Sequence, residues 1–250
     1  MKNRAYKNYI FDFYGTLVDI LTDEKDPILW DKLAQLYQAY GADYKGEGLK
    51  KSYAKRVAQT RKELIEIKGV GYPEVDLAHI FNQLYVDGRS QFSCHNQPED
   101  WGQLIAMVFR VLSRKQLLAY PHTKEVLTFL KEQGCRLYLL SNAQAAFTNA
   151  EIDLMELRPY FDAIYLSSDV GICKPQPEFL KQVLDDHGLK PSETVMVGND
   201  LTTDIAVAEA VGIDGILLNT FPYSRRELEK SPIKPDRVIT DIEALKTNFT

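Results

Sequence analysis

The chain has 250 residues, 45% of them hydrophobic and 26% charged, with a formal net charge of −5; this excludes a disordered chain and suits one large domain or a domain carrying an insert. Mild acidity with scattered Lys and Arg gives no reason to expect a nucleic-acid partner, and the one dense basic stretch, Lys50-Lys51 to Arg61-Lys62, reads as a solvated helix face. Cys94, Cys135 and Cys173 are an odd number without CxxC spacing, and no run approaches the roughly 20 apolar residues of a membrane helix or the apolar core of a signal peptide, so the expectation is a cytoplasmic protein without a membrane partner, its oligomeric state unspecified.

In chain order, Tyr9-Ile10-Phe11 is apolar on both faces, as in a strand buried inside a parallel sheet. It ends in Asp12, followed by a turn at Gly15-Thr16. The pattern then becomes helical. Asp26-Pro27 is an N-cap with proline at the first helical position, and Ile28, Leu29, Leu33, Leu36 and Tyr37 recur at helical spacing up to Gly41. Leu49 to Ile67 predicts a second helix, Pro73 to Leu84 a third, and Pro98 to Leu112 a fourth with Trp101, Leu104, Ile105, Val108 and Phe109 inward. The aromatic stripes read as the inside of a small helical bundle; Tyr37, Tyr40 and Tyr44 are candidates for substrate contact, with buried packing the simpler role.

From about Ala119 the chain alternates. Helices are predicted over Thr123–Gln133, Ala145–Leu157, Pro177–His187 and Thr203–Val211, and strands over Arg136–Leu140, Ala163–Leu166, Thr194–Val197, Gly215–Leu218 and Arg237–Ile239. Such alternation makes βαβ units, hence an α/β fold with a Rossmann-like parallel sheet. The Tyr9 strand must join this sheet, because four helices offer it nothing to pair with. Residues 1–20 and 115–250 then form a discontinuous core, and residues 21–114 an inserted helical-bundle cap.

Parallel strands gather their carboxyl ends in one crevice. There the sequence places Asp12, Ser141-Asn142, Asn199-Asp200 with Asp204 one turn on, and Lys174 in the loop Gly171 to Pro175. Carboxylates and other hard oxygen donors suit Mg²⁺. A lysine and a hydroxyl beside them would hold a phosphate dianion, and an aspartate facing it could attack phosphorus to give an aspartyl-phosphate that water removes. A nucleotide-binding dehydrogenase is disfavoured, since no Gly-x-Gly-x-x-Gly follows any strand.

These residues resemble the haloacid dehalogenase-like hydrolase superfamily, in its subgroup with a helical cap inserted after the first motif. The four motifs stand in order as Asp12-Phe13-Tyr14-Gly15-Thr16-Leu17-Val18-Asp19, Leu140-Ser141-Asn142, Lys174-Pro175 and Gly198-Asn199-Asp200-Leu201-Thr202-Thr203-Asp204-Ile205. The resemblance implies Asp12 as nucleophile and Ser141 and Lys174 as phosphate holders. It also implies substrate contact along Phe13, Tyr14, Gly15 and Thr16 and at Asn142, with Mg²⁺ held by Asp12, the backbone carbonyl of Tyr14 and the fourth motif. The reaction so implied is hydrolysis of a small-molecule phosphate monoester.

Two positions depart from the family's pattern. Phosphatases of the family carry a second aspartate two residues after the nucleophile, where this chain has Tyr14; a phenol, with an ordinary pKa near 10, could donate a proton but is a poor base at neutral pH. Tyrosine there looks like the family's 2-haloacid dehalogenases, which makes dehalogenation the rival reading and a decayed catalyst that binds a phospho-ligand a third. In the fourth motif the first acid is displaced by one place: Asn199 follows the glycine and Asp200 comes next, so that either Asn199 supplies a neutral oxygen to the metal or the loop shifts and Asp200 does, and Asp200 is preferred because its charge balances Mg²⁺ better. The retained acids favour the phosphatase.

Overall fold

The structure, a computed structural model, describes residues 6–89 and 98–249; Cys94 lies outside them. Its strands are β1 (Asn8–Phe11), β2 (Val18–Thr22), β3 (Arg114–Ala119), β4 (Arg136–Ser141), β5 (Ala163–Leu166), β6 (Thr194–Gly198), β7 (Asp214–Leu218) and β8 (Arg237–Ile239). The helices are α1 (Pro27–Ala39), α2 (Gly46–Lys68), α3 (Leu77–Gly88), α4 (Trp101–Ser113), α5 (Thr123–Glu132), α6 (Ala145–Leu154), α7 (Ser167–Val170), α8 (Pro177–His187), α9 (Ala206–Val211) and α10 (Arg225–Lys230).

Six strands form one sheet in the order β5-β4-β1-β6-β7-β8, every pair parallel. The first strand is central, between β4 and β6, as its two apolar faces require. Side chains alternate along it. Tyr9 and Phe11 join Leu137, Leu139, Val195 and Val197 on one face, covered by Val126, Leu127 and Leu130 of α5 and Ile152 of α6. Ile10 joins Tyr138, Leu140 and Met196 on the other, covered by Phe179, Leu180 and Val183 of α8 and Val207 and Ala208 of α9.

The helices between β2 and β3 bury a separate core. Leu29, Trp30, Leu33 and Tyr37 of α1 meet Ile80, Phe81, Leu84 and Tyr85 of α3 and Trp101, Ile105 and Phe109 of α4. Its tyrosines find backbone acceptors: Tyr37 Oη donates to Phe81 O (2.7 Å), Tyr44 Oη to Leu84 O (2.8 Å) and Tyr85 Oη to Tyr40 O (2.9 Å). Tyr37, Tyr40 and Tyr44 therefore pack within the bundle. No helix among the described residues is long and apolar enough to cross a membrane.

Beyond the short helices α7 and α10, three further segments differ from the sequence expectation. β2 and β3, at the two ends of the insert, pair as an antiparallel ribbon with Val18 opposite Ala119. The third helix starts at Leu77, capped by Asp76 Oδ1 accepting from Ala78 N (2.9 Å); Pro73 instead pairs with Ile172 in an isolated antiparallel bridge. A π-helical turn, Leu201–Ile205, precedes α9, capped by Asp200 and closed by Ile205 N donating to Asp200 O (3.2 Å).

Candidate active site at the carboxyl edge of the sheet

Asp12 leaves the end of β1 nearly buried, its two carboxylate oxygens facing different neighbours. Oδ1 accepts from Ser141 Oγ at 3.1 Å and from Lys174 Nζ at 2.7 Å. Oδ2 accepts from Thr16 Oγ1 at 3.2 Å, and the same hydroxyl lies 3.4 Å from Asn199 Oδ1. The turn that allows this is built on Gly15, whose φ of +80° suits glycine and whose added Cβ would stand 2.3 Å from Asn199 Nδ2. At the end of β6, Gly198 makes room for Asp204, since a Cβ there would sit 2.2 Å from its carboxyl carbon.

Lys174 is 2% exposed and its ammonium is fully engaged, donating to Asp12 Oδ1, Asp204 Oδ1 and Leu140 O, each at 2.7 Å. Burial alone would lower its pKa, but Asp12 and Asp204 outweigh this and raise it, so the lysine stays cationic. Burial pushes the Asp204 carboxyl up to about 6, against the pull of Lys174 and of the Asp200 N–H that donates to Oδ2 at 3.1 Å. The lysine backbone is held too: Asn142 Nδ2 donates to Lys174 O (2.9 Å), and Lys174 N to Asn142 Oδ1 (2.7 Å).

Asp12, Thr16, Ser141, Lys174 and Asp204 are thus joined by hydrogen bonds, with Asn142 behind them and Asn199 at the edge. Asp200 is placed differently. Its Oδ1 accepts from Thr202 N (2.6 Å), Thr202 Oγ1 (2.6 Å) and Thr203 N (3.1 Å), so this carboxylate caps the following turn. Phe13 is fully buried in the sheet's core and offers no side-chain surface to a ligand.

Tyr14 has partners that the sequence did not reveal. Its hydroxyl bonds to Glu151 Oε2 and lies 3.0 Å from Thr148 Oγ1, both on α6. Glu151 is 2% exposed and bound by Arg110 Nε (2.8 Å) and Nη2 (3.0 Å) and by Arg114 Nη1 (2.9 Å). The Arg110 guanidinium lies over the Tyr14 ring at 5.0 Å and the Phe147 ring at 4.7 Å. Burial, with Glu151 beside it, drives the Tyr14 pKa further above its ordinary value despite Arg110. The only hint of this cluster was Arg110 itself, a lone charge in the apolar run Ile105 to Leu112.

Among known proteins, the family described as haloacid dehalogenase-like hydrolase matches residues 6–212. A glyceraldehyde 3-phosphate phosphatase of Methanothermobacter thermautotrophicus is 33% identical over 132 residues, 52% of this chain and 58% of that one. The chain spans about half the length of the curated relatives it matches. In three dimensions it is similar to a HAD phosphatase from Thermococcus onnurineus (TM-score 0.63, 19% identity, 97% of each chain). It is equally similar in fold to a 2-haloacid dehalogenase from Pseudomonas syringae pv. Tomato DC3000 (TM-score 0.67, 21% identity, 98% of each chain).

Proposed function

The chain belongs to the haloacid dehalogenase-like hydrolase family, and from that membership we propose that it is a Mg²⁺-dependent phosphatase of small phosphate monoesters with Asp12 as nucleophile. The observation that carries this reading is the position of Asp12 against Ser141, Lys174 and Thr16 at one buried strand end. Names of relatives such as the glyceraldehyde 3-phosphate phosphatase support a phosphate ester as the substrate class.

The donor set fits a hard divalent cation. Asp12, the Tyr14 backbone carbonyl, Asn199 and Asp204 would hold it, all through oxygen. Asn199 takes the place first expected of Asp200, because Asn199 Oδ1 shares the Thr16 hydroxyl with Asp12 while Asp200 caps the next turn. When bound, Mg²⁺ supplies positive charge toward the phosphate dianion.

The chain's own groups do the rest. Ser141 and Lys174 now donate to Asp12 Oδ1; with substrate present they turn these donors to the phosphoryl oxygens, where negative charge develops. An Asp12 oxygen forms a bond to phosphorus as the bond to the ester oxygen breaks, and the leaving group departs with that electron pair. Water then adds to phosphorus, the aspartyl oxygen–phosphorus bond breaks, and Asp12 is restored as phosphate leaves with the protons of water. Closure of the helical cap would exclude bulk water.

The Tyr14 hydroxyl is committed to Glu151 and Thr148, so it supplies no proton to the departing oxygen. Aryl and acyl phosphates, whose leaving groups need little protonation, should therefore turn over faster than alkyl phosphates. The test is a panel of these esters with and without Mg²⁺: Mg²⁺-dependent phosphate release ranked by leaving group is expected. Halide release from 2-haloacids with no activity on any phosphate would overturn the reading.

A further inference from the structure

Between α2 and α3 the insert runs extended across the loop that carries Lys174. Cys173 N donates to Tyr72 O (2.8 Å), Glu74 N to Gly171 O (3.2 Å) and Lys68 Nζ to Gly171 O (3.1 Å), while Pro73 and Ile172 form a bridge. From this strap one side chain reaches into the core. Glu74 Oε2 accepts from Ser167 Oγ and from Cys173 Sγ (3.2 Å), and Oε1 from Gln144 Nε2 (3.0 Å) and Val75 N (3.0 Å).

Gln144 completes the grip. Buried three residues after Ser141, it donates from Nε2 to Val75 O (3.0 Å) and accepts from Leu77 N (2.8 Å). Residues 72–77 therefore hold both core loops that present site residues, 141–144 and 171–174, and Asn142 ties those loops to each other through the Lys174 backbone. The Glu74 donors are all neutral, and its side chain is only half-buried. Neutral donors and a half-buried carboxylate can each exchange the other for water, so this contact can break and reform within a catalytic cycle.

We propose that Glu74 is a positioning residue, a latch that on closure of the helical insert clamps the Ser141 and Lys174 loops so that both side chains meet on Asp12. The proposal rests on reading Asp12, Ser141 and Lys174 as the phosphoryl-transfer site. It has a built-in reporter in Cys173, which touches the latch and adjoins Lys174. Burial first, and Glu74 second, push the Cys173 thiol up to about 12. Opening the latch returns it toward the ordinary value of about 8.5, where far more thiolate is present at neutral pH.

The test uses the full chain with Cys94→Ser and Cys135→Ser, which leaves Cys173 as the only thiol. Labelling by a disulfide reagent at neutral pH should be at least about tenfold faster in Glu74→Ala than in its parent. Over the same change kcat on an aryl phosphate should fall about tenfold with KM within about threefold, a split that a merely structural role would not produce. Glu74→Asp keeps the charge but shortens the arm, and should label at least about threefold faster, which carries the test if Glu74→Ala does not fold. Parent-like labelling in the variants overturns the latch, and faster labelling with unchanged kcat overturns its coupling to the site. If the parent hydrolyses no phosphate ester, the functional reading falls and labelling alone still decides the latch.

Discussion

Two glutamates take part in tying the helical insert to the sheet domain, and they are held in opposite ways. Glu151, on α6 of the core, is almost fully buried and paired with Arg110 and Arg114 from the end of α4 and the start of β3. Glu74, on the strap of the insert, is half-buried and bound by hydroxyl, thiol, amide and backbone N–H groups. A buried carboxylate held by guanidinium cannot lose its partner without stranding a charge, whereas one held by neutral donors can exchange them for water. The difference separates a fixed joint near the chain crossings from a releasable contact over the Lys174 loop, which is the arrangement a closing cap needs.

Arg110→Met should lower the free energy of unfolding by about 3 kcal/mol in urea titrations, because Glu151 keeps only the more exposed Arg114. Glu74→Ala should cost less than this, because the half-buried site lets its former donors turn to water. Equal costs would mean the two contacts are of one kind.

Acid sharpens the same contrast. Burial raises the Glu151 pKa, but the hydrogen bonds and charge of Arg110, with Tyr14 and Arg114, more than reverse this and leave it below the ordinary value. Its contribution to stability is therefore complete above the unfolded pKa of about 4.3 and is lost as pH falls through the lower folded value. Between about pH 6 and about pH 3, stability of the parent should fall more steeply than that of Glu151→Gln. Parallel curves would contradict the pairing.

Smaller effects are expected at the phenol. Tyr14→Phe removes one donor from Glu151, which retains both arginines, so the loss should be about 1 kcal/mol. Because that hydroxyl is spent on α6, kcat on aryl phosphates should stay within about threefold of the parent, and a loss of a hundredfold would show that the phenol acts on the substrate. Glu74→Gln, which keeps an acceptor oxygen, should alter stability by less than about 0.5 kcal/mol.

The sheet and most of the site were legible because both rest on local patterns. A buried strand is a short apolar run; Asp12 follows one, Ser141 ends one and Asp204 lies one turn beyond the end of another, so parallel pairing had to bring them to one edge. The β2–β3 ribbon was hidden because its partners flank the whole insert and Arg114-Lys115 masks the start of one strand. The capping role of Asp200 was not foreseen, although an aspartate two residues before Thr202 is placed to accept from backbone N–H groups. Glu151 and Glu74 gave no sign, since a charge on an amphipathic helix or a loop reads as solvated until the opposing surface is known. The start of the third helix was misplaced for the same reason, as Pro73 is held extended by Ile172, a residue far along the chain.

If Asp12 is the group that attacks phosphorus, turnover of 4-nitrophenyl phosphate in Mg²⁺ should separate the parent from Asp12→Asn. A loss of at least about 10³-fold in kcat with the unfolding transition retained is expected. Wild-type turnover by a folded Asp12→Asn would contradict it.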